Sequence, residues 1–181
     1  METGPIHDIL TFWFEETTPE QKYSKDDDFD ELIKHTFEKL YWQIMDGSTK
    51  SWRDTPAGRL AEIIVLDQFA RNMFRGDKQS FAGDELALTL AREAIATSDD
   101  MQLPDEQRQF FYMPFMHSES RAVHAEALQL FEEKSGADSL KYEIMHKKII
   151  DQFGRYPHRN EVMGRESTPE ELEFLKEHTG F

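Results

Sequence analysis

The sequence contains no cysteine and no long apolar run. The absence of Cys among 181 residues excludes disulfide bonds and thiolate chemistry. No apolar stretch approaches the ~20 residues of a membrane-spanning helix, and the first residues show neither a basic start nor a signal-peptide cleavage site. These absences predict a cytoplasmic protein without a membrane partner.

Basic residues are also scarce, with 21 Lys and Arg against 36 Asp and Glu and a net charge of −15. Proteins that bind nucleic acid use clustered Lys and Arg, so no nucleic-acid partner is predicted. The charge is uneven. Residues 1–49 hold 4 Lys and 12 acidic residues, a net −8, whereas residues 141–165 hold 6 Lys and Arg and 3 acidic residues, a net +3. Such a basic island produces a local field only if its charges are not all paired with neighbouring acids.

Apolar residues recur with helical spacing along almost the whole chain, and no segment alternates as a strand does. Threonine followed by proline indicates helix starts at Thr18, Thr55 and Thr168. One helix is predicted over residues 115–133, and the next is marked by the apolar residues Tyr142, Ile144, Met145, Ile149 and Phe153. The pattern predicts one all-α domain over residues 1–181, a bundle or superhelix of seven to nine helices.

Two helix ends share the pattern apolar-Asp-Gln-Phe-x-Arg, at residues 66–71 and 150–155, and each is followed by a further arginine. One interpretation is a favourable helix end, since Asp and Arg four residues apart pair and a cation suits the C-terminal dipole. The other is a shared site. We predict that the two ends meet, so that Arg71 and Arg75 face Arg155, His158 and Arg159 near His117.

Three segments carry a resemblance: LDQFARNMFRGDKQSFAGD, FFYMPFMHSES and IIDQFGRYPHRNEVMGRESTPEELEFL. Together they resemble a bacterial protein family known as domain of unknown function 924, over nearly the whole chain. The resemblance implies an all-helical fold similar to tetratricopeptide-like superhelices. It implies no activity, so it brings no catalytic residues.

The segment FGRYPHRN is the strongest candidate site, because Arg155, His158 and Arg159 supply many N–H donors within about two turns of chain. Guanidinium groups match carboxylate and phosphate oxygens, and histidine titrates near neutral pH. The alternative is an internal network in which these donors bond Asp67, Asp84, Glu119 and Asp151. The predicted ligand-binding residues are Arg71, Asn72, Arg75, His117, Glu119, Arg155, His158, Arg159 and Asn160.

Two functions are compatible with these residues. The first is a helical binding protein that holds a small anion or an acidic peptide. The second is a hydrolase or transferase acting on an anionic substrate, with His117 or His158 as general acid/base and Glu119 orienting it. No metal is predicted, since His117 and His124 are seven residues apart whereas zinc ligands on a helix are usually three or four apart. No cofactor is predicted, and the pattern leaves open whether the protein is an enzyme.

Overall fold

The computed structural model describes residues 4–178 and 180, and these residues form helices and connecting turns without a strand. The α-helices are α1 (Pro5–Thr11), α2 (Pro19–Tyr23), α3 (Asp27–Met45), α4 (Pro56–Ile63), α5 (Ala70–Met73), α6 (Asp84–Ala96), α7 (Asp105–Arg108), α8 (Met113–Met116), α9 (Arg121–Lys134), α10 (Ala137–Phe153), α11 (Asn160–Met163) and α12 (Pro169–Glu177). The all-α prediction is confirmed.

Tighter and wider helical turns join several of these helices. The π-helical turns Phe12–Glu16 and Ile64–Phe69 continue α1 and α4, and 3₁₀ turns lie at Lys50–Asp54, Lys78–Phe81, Asp100–Gln102, Gln109–Phe111 and Pro157–Arg159. None of the described helices combines the length and apolar character that crossing a membrane requires.

The chain divides into two compact units. Unit 1 comprises Met1–Arg75 and Gln79–Pro114, and unit 2 comprises Gly76–Lys78 and Phe115–Phe181. The prediction of a single domain over residues 1–181 stays a prediction.

Unit 1 has an aromatic core. The ring of Phe69, at the end of the π-helical turn after α4, lies 4.7 Å from that of Phe37 and 5.6 Å from that of Trp13, which is fully buried. Phe110 meets Trp13 edge-on at 6.0 Å. Edge-to-face contacts of this kind stabilise aromatic cores beyond the area they bury.

Unit 2 is built on the pair α9 and α10, with Val123, Ala127, Phe131 and Ile150 in its core. The helix predicted over residues 115–133 is wrong in one respect, because α8 ends at Met116 and α9 begins at Arg121. The Ser120 hydroxyl caps α9 by accepting the Val123 N–H at 3.4 Å. Residues 117–120 are therefore a linker, and His117 and His124 do not share a helix.

The apolar residues that mark α10 in the sequence are only partly buried. Tyr142, Ile144 and Met145 are exposed, whereas the same turns of α10 bury Glu143 and His146. α10 thus buries Glu143 and His146 along with Ile150 while it exposes three apolar side chains, which departs from the usual amphipathic pattern.

All three threonine–proline starts are confirmed. Each hydroxyl accepts the backbone N–H three residues on, for Thr18, Thr55 and Thr168. At α12 the box is complete, since Glu171 accepts the Thr168 N–H at 2.8 Å while Thr168 accepts the Glu171 N–H at 3.2 Å.

Thr168→Ala removes the hydroxyl that satisfies a free N–H at the start of α12. We expect it to lower the free energy of unfolding by about 1 kcal/mol. Thr89→Ala is the matched control, because Thr89 is an exposed threonine inside α6 that bonds only the Glu85 carbonyl. It should change stability by less than about 0.5 kcal/mol. Equal denaturant midpoints for Thr168→Ala and the parent protein would contradict the capping role.

Candidate functional site

The two repeated helix ends belong to different units, and their predicted meeting stays a prediction. In unit 1 each of the predicted residues bonds a carboxylate. Arg71 forks onto Asp84, with Nη1 and Nη2 donating at 2.9 and 3.0 Å. Arg75 forks onto Asp30, whose Oδ1 also accepts the Asn72 amide at 2.7 Å. Arg71, Asn72 and Arg75 therefore tie helices of unit 1 together.

In unit 2, Arg155 follows the left-handed Gly154 that ends α10. Its Nε and Nη2 donate to the two oxygens of Glu171 at 2.7 and 2.8 Å. Glu171 is only 2% exposed and also accepts the Asn160 amide at 3.1 Å. The hydrogen bonds from Arg155 outweigh the effect of burial and lower the pKa of Glu171 to about 2.

Glu119 forms a second carboxylate centre in unit 2. Its oxygens accept Nη1–H and Nη2–H of Arg165 at 2.7 and 3.0 Å and the Tyr156 N–H at 2.9 Å. Burial by itself would raise the pKa of Glu119, but these hydrogen bonds outweigh it and hold the pKa below its ordinary value. Arg165 Nε also donates to Asn160 Oδ1 at 2.9 Å, which links the two centres.

These contacts confirm much of the internal network that the sequence offered as the alternative to a ligand site. Asp84 and Glu119 hold arginines as that alternative expects, whereas Asp30 and Glu171 are partners that the sequence analysis missed. Asp151 accepts the Lys147 ammonium instead, at 2.6 Å.

A fully buried histidine lies under the 117–120 linker. His124 Nε2 is 2.7 Å from the Ser118 carbonyl and 3.2 Å from the Tyr156 hydroxyl, and Nδ1 is 2.7 Å from Oε1 of Glu143. A carbonyl only accepts, so Nε2 carries a proton. The Tyr156 hydroxyl uses its own hydrogen to donate to the Met116 carbonyl at 2.6 Å, so toward His124 it is an acceptor. Its contact with Nε2–H is longer than that of the Ser118 carbonyl.

One further proton lies between His124 and Glu143. If Glu143 holds this proton, a neutral imidazole faces a neutral acid. If His124 holds it, an imidazolium faces a carboxylate, and the pair has no net charge in either case. Burial raises the pKa of Glu143, against the opposing effect of His124. Oε2 of Glu143 is buried without a hydrogen-bond partner among the described residues. His124 is therefore a positioning residue, because both of its nitrogens are engaged inside unit 2.

Three imidazole rings and one guanidinium contact the Tyr156 ring. The rings of His124, His146 and His158 lie 6.3, 5.8 and 5.5 Å from the Tyr156 ring, and the Arg159 guanidinium lies over its face at 4.6 Å. The His117 ring lies 6.4 Å from that of His146. We call His117, His146, Tyr156, His158 and Arg159 the Tyr156 cluster.

Within this cluster, Arg159 and His146 differ in charge. Arg159 is 8% exposed, and its Nη2 donates to the His117 carbonyl at 3.0 Å. His146 donates from Nδ1 to the Tyr142 carbonyl at 2.7 Å, since a carbonyl only accepts. Burial lowers the pKa of His146 to about 3, so this imidazole is neutral at pH 7.

Of the predicted site residues, His158 and Arg159 contact the Tyr156 ring. His117 joins them through its carbonyl, which Arg159 bonds, and through its ring contact with His146. Glu119, Arg155 and Asn160 lie in the adjoining network. Tyr156 and His146 were missed, because nothing in their spacing separates a site residue from a core residue. Over residues 4–178 and 180, no group of three or more His, Asp or Glu side chains is arranged to hold a metal ion.

The Arg–carboxylate centres lie within the residues that one family profile matches. The chain belongs to the family described as bacterial protein of unknown function (DUF924), whose profile matches residues 9–179. It is also similar to a protein of unknown function from Agrobacterium tumefaciens of solved structure. The two are 35% identical, with a TM-score of 0.90 over 96% of this chain and 97% of that chain. No curated protein matches the chain.

Glu143→Ala strands His124 without its buried partner. We expect it to destabilise the protein by about 3–5 kcal/mol, the usual cost of removing one member of a buried pair. Glu143→Gln is the matched control, because its amide can donate to Nδ1 of a neutral His124, and it should retain most of the stability. Urea unfolding followed by circular dichroism measures both. Equal losses for the two variants would contradict the shared-proton pair.

The low pKa of Glu171 makes part of the stability pH-dependent. Its folded pKa of about 2 lies below the ordinary 4.5, so the contribution is present above pH 4.5 and lost as the pH falls through 2. Glu171→Gln should therefore show a flatter loss of stability than the parent protein between about pH 5 and pH 2. The exposed Glu170→Gln is the control and should follow the parent curve. Parallel curves for the parent protein and Glu171→Gln would contradict this assignment.

Proposed function

We propose that this protein is a helical binding protein that holds a small anion, a phosphate or carboxylate group, at the Tyr156 cluster of unit 2. The observation that carries the proposal is the placement of Arg159. It places a mostly buried guanidinium over the Tyr156 ring, which the half-buried His158 ring also contacts, and bonds that guanidinium to the backbone carbonyl of half-buried His117. Guanidinium and imidazole groups together suit phosphate and carboxylate oxygens.

The position of Arg159 is fixed in advance of binding. Pro157 opens the 3₁₀ turn that carries His158 and Arg159, and its ring restricts the backbone there. The Tyr156 face and the His117 carbonyl then restrain the guanidinium. A restrained side chain loses less conformational entropy when it binds a ligand, so this arrangement favours binding.

The other predicted arginines that bond carboxylates are not part of this site. Arg71, Arg75 and Arg155 each fork onto a carboxylate, so their charges are compensated inside their own unit. We therefore narrow the ligand-contacting residues to His117, His158 and Arg159, and assign Glu119, Arg155 and Asn160 to the network that supports them. An acidic peptide that ends in a carboxylate would present the same chemistry as a small carboxylate.

The hydrolase or transferase alternative receives less support. It requires Glu119 to orient His117 or His158, but Glu119 is bonded to Arg165 and to the Tyr156 N–H. The enzyme hypothesis therefore stays a hypothesis. The cytoplasmic location and the tetratricopeptide-like arrangement also stay predictions.

Inorganic phosphate and acetate are the probes for the site. If phosphate binds, a concentration of 100 times its dissociation constant should stabilise the protein by about 2.7 kcal/mol, which thermal unfolding reports. Arg159→Lys keeps the charge but loses the fork, and His158→Ala removes one imidazole. Both should diminish the stabilisation by phosphate while leaving a folded protein.

Arg155→Ala is the contrasting variant, because it uncovers Glu171 inside the network. It should lower the denaturant midpoint without phosphate yet leave the relative stabilisation by phosphate intact. A parent protein that neither phosphate nor acetate stabilises would contradict the proposed function. An equal ligand response in the parent, Arg159→Lys and His158→Ala proteins would place any binding elsewhere.

A further inference from the structure

The exposed part of α10 includes a row of apolar side chains. Tyr142 is 55% exposed and Met145 is 41% exposed, and Ile149 is half-buried one turn further on. Residues at i, i+3 and i+7 lie along one line of a helix, so the three side chains form a continuous row. We call Tyr142, Met145 and Ile149 the α10 stripe.

Contacts inside unit 2 explain why these apolar side chains are exposed. Glu143 is held inward by His124, and His146 is held inward by its bond to the Tyr142 carbonyl and its contact with the Tyr156 ring. Since a helix has one rotation about its axis, burying these two side chains turns the stripe outward. Exposed apolar rows with a polar border are typical of surfaces that bind a partner.

Two lysines border the stripe. Lys141 and Lys148 are exposed. Counted from Lys141, Met145 is at i+4 and Lys148 is at i+7, so the three residues lie on the same side of the helix. Neither forms an ion pair with any residue that the structure describes, whereas the adjacent Lys147 is paired with Asp151. The border therefore carries two uncompensated positive charges in a chain whose net charge is −15.

We propose that the α10 stripe docks an amphipathic helix of a partner protein whose polar border is acidic. Three apolar anchors spaced by one turn suit the apolar face of another helix, as in helix-in-groove recognition. Lys141 and Lys148 would then meet carboxylates on the incoming helix. Charges near an interface of this kind set specificity and association rate more than affinity.

A second copy of the chain fits this surface less well. If two α10 helices packed through the same stripe, the lysines of each would border the lysines of the other, and like charges that close repel. The overall negative charge does not prevent an acidic partner from docking, because exposed charges are screened beyond a distance of about 8 Å at physiological salt. The charges of Lys141 and Lys148, which lie close to the docked helix, therefore determine whether an acidic partner is favoured.

The test uses two synthetic helical peptides that share leucines at helical spacing, one with glutamate and one with lysine at the bordering positions. Fluorescence anisotropy measures their binding to the full chain. We expect the glutamate peptide to bind at least about tenfold more tightly than the lysine peptide, with affinity that falls as salt rises. Equal affinities, or no binding of the glutamate peptide, would overturn the proposal.

Variants locate the binding. Met145→Glu should weaken the glutamate peptide by at least about tenfold, and Lys141→Glu combined with Lys148→Glu should do so without altering the stripe. Met101→Glu and Lys39→Glu are matched controls, since Met101 is 50% exposed and Lys39 is exposed, and both lie in unit 1. Circular dichroism verifies that each variant is folded. Equal weakening by the controls would overturn the assignment.

A second copy of the chain and a membrane are the other possible occupants of the α10 stripe, and each is tested by its own measurement. Sedimentation of the parent protein and Met145→Glu reports a second copy, and a dimer that only the parent protein forms would overturn the proposal. Co-sedimentation with phosphatidylserine vesicles reports a membrane, and binding to vesicles in place of the glutamate peptide would do the same. None of these measurements depends on the Tyr156 cluster, so their failure leaves the proposed anion site unaffected.

Discussion

The contact between His124 and Glu143 fixes the arrangement of unit 2. It joins α9 to α10 at full burial, and through Nε2 it also holds the Ser118 carbonyl of the linker that carries His117. A buried charge would be costly at this position, and sharing one proton keeps the pair neutral. Because α10 must turn Glu143 toward His124, the exposure of Tyr142 and the inward placement of His146 follow from the same contact.

Carboxylates also organise the arginines within each unit. Glu119 and Glu171 each accept one arginine fork and at least one backbone N–H. In unit 1, Asp30 accepts the fork of Arg75 and the side-chain amide of Asn72. Each acid joins segments far apart in the chain, for example Arg75 with Asp30. The excess of acidic residues is thus partly structural, since buried guanidinium groups need a compensating anion.

The sequence predicts the local structure well and the polar interior poorly. Thr168 and Glu171 are three residues apart, so a capping box there is readable from the sequence, and the structure has it. The partners of Arg75 and Arg155 are 45 and 16 residues away, and no local rule selects them among so many acids. For Tyr142, Ile144 and Met145 of α10 the usual rule is wrong, because hydrophobic periodicity assumes that apolar residues face inward.

That failure is informative about function. Natural sequences follow local rules except where another constraint acts, and α10 breaks the rule by burying Glu143 and His146 while exposing Tyr142 and Met145. The inward side places neutral His146 beside the Tyr156 ring, and the exposed side leaves an apolar row bordered by two lysines that pair with none of the described acids. Tyr142 belongs to both faces, because its carbonyl holds His146 while its side chain opens the stripe. A change of the Tyr142 side chain alters the stripe and keeps the carbonyl, so the two faces of α10 are separable by mutation.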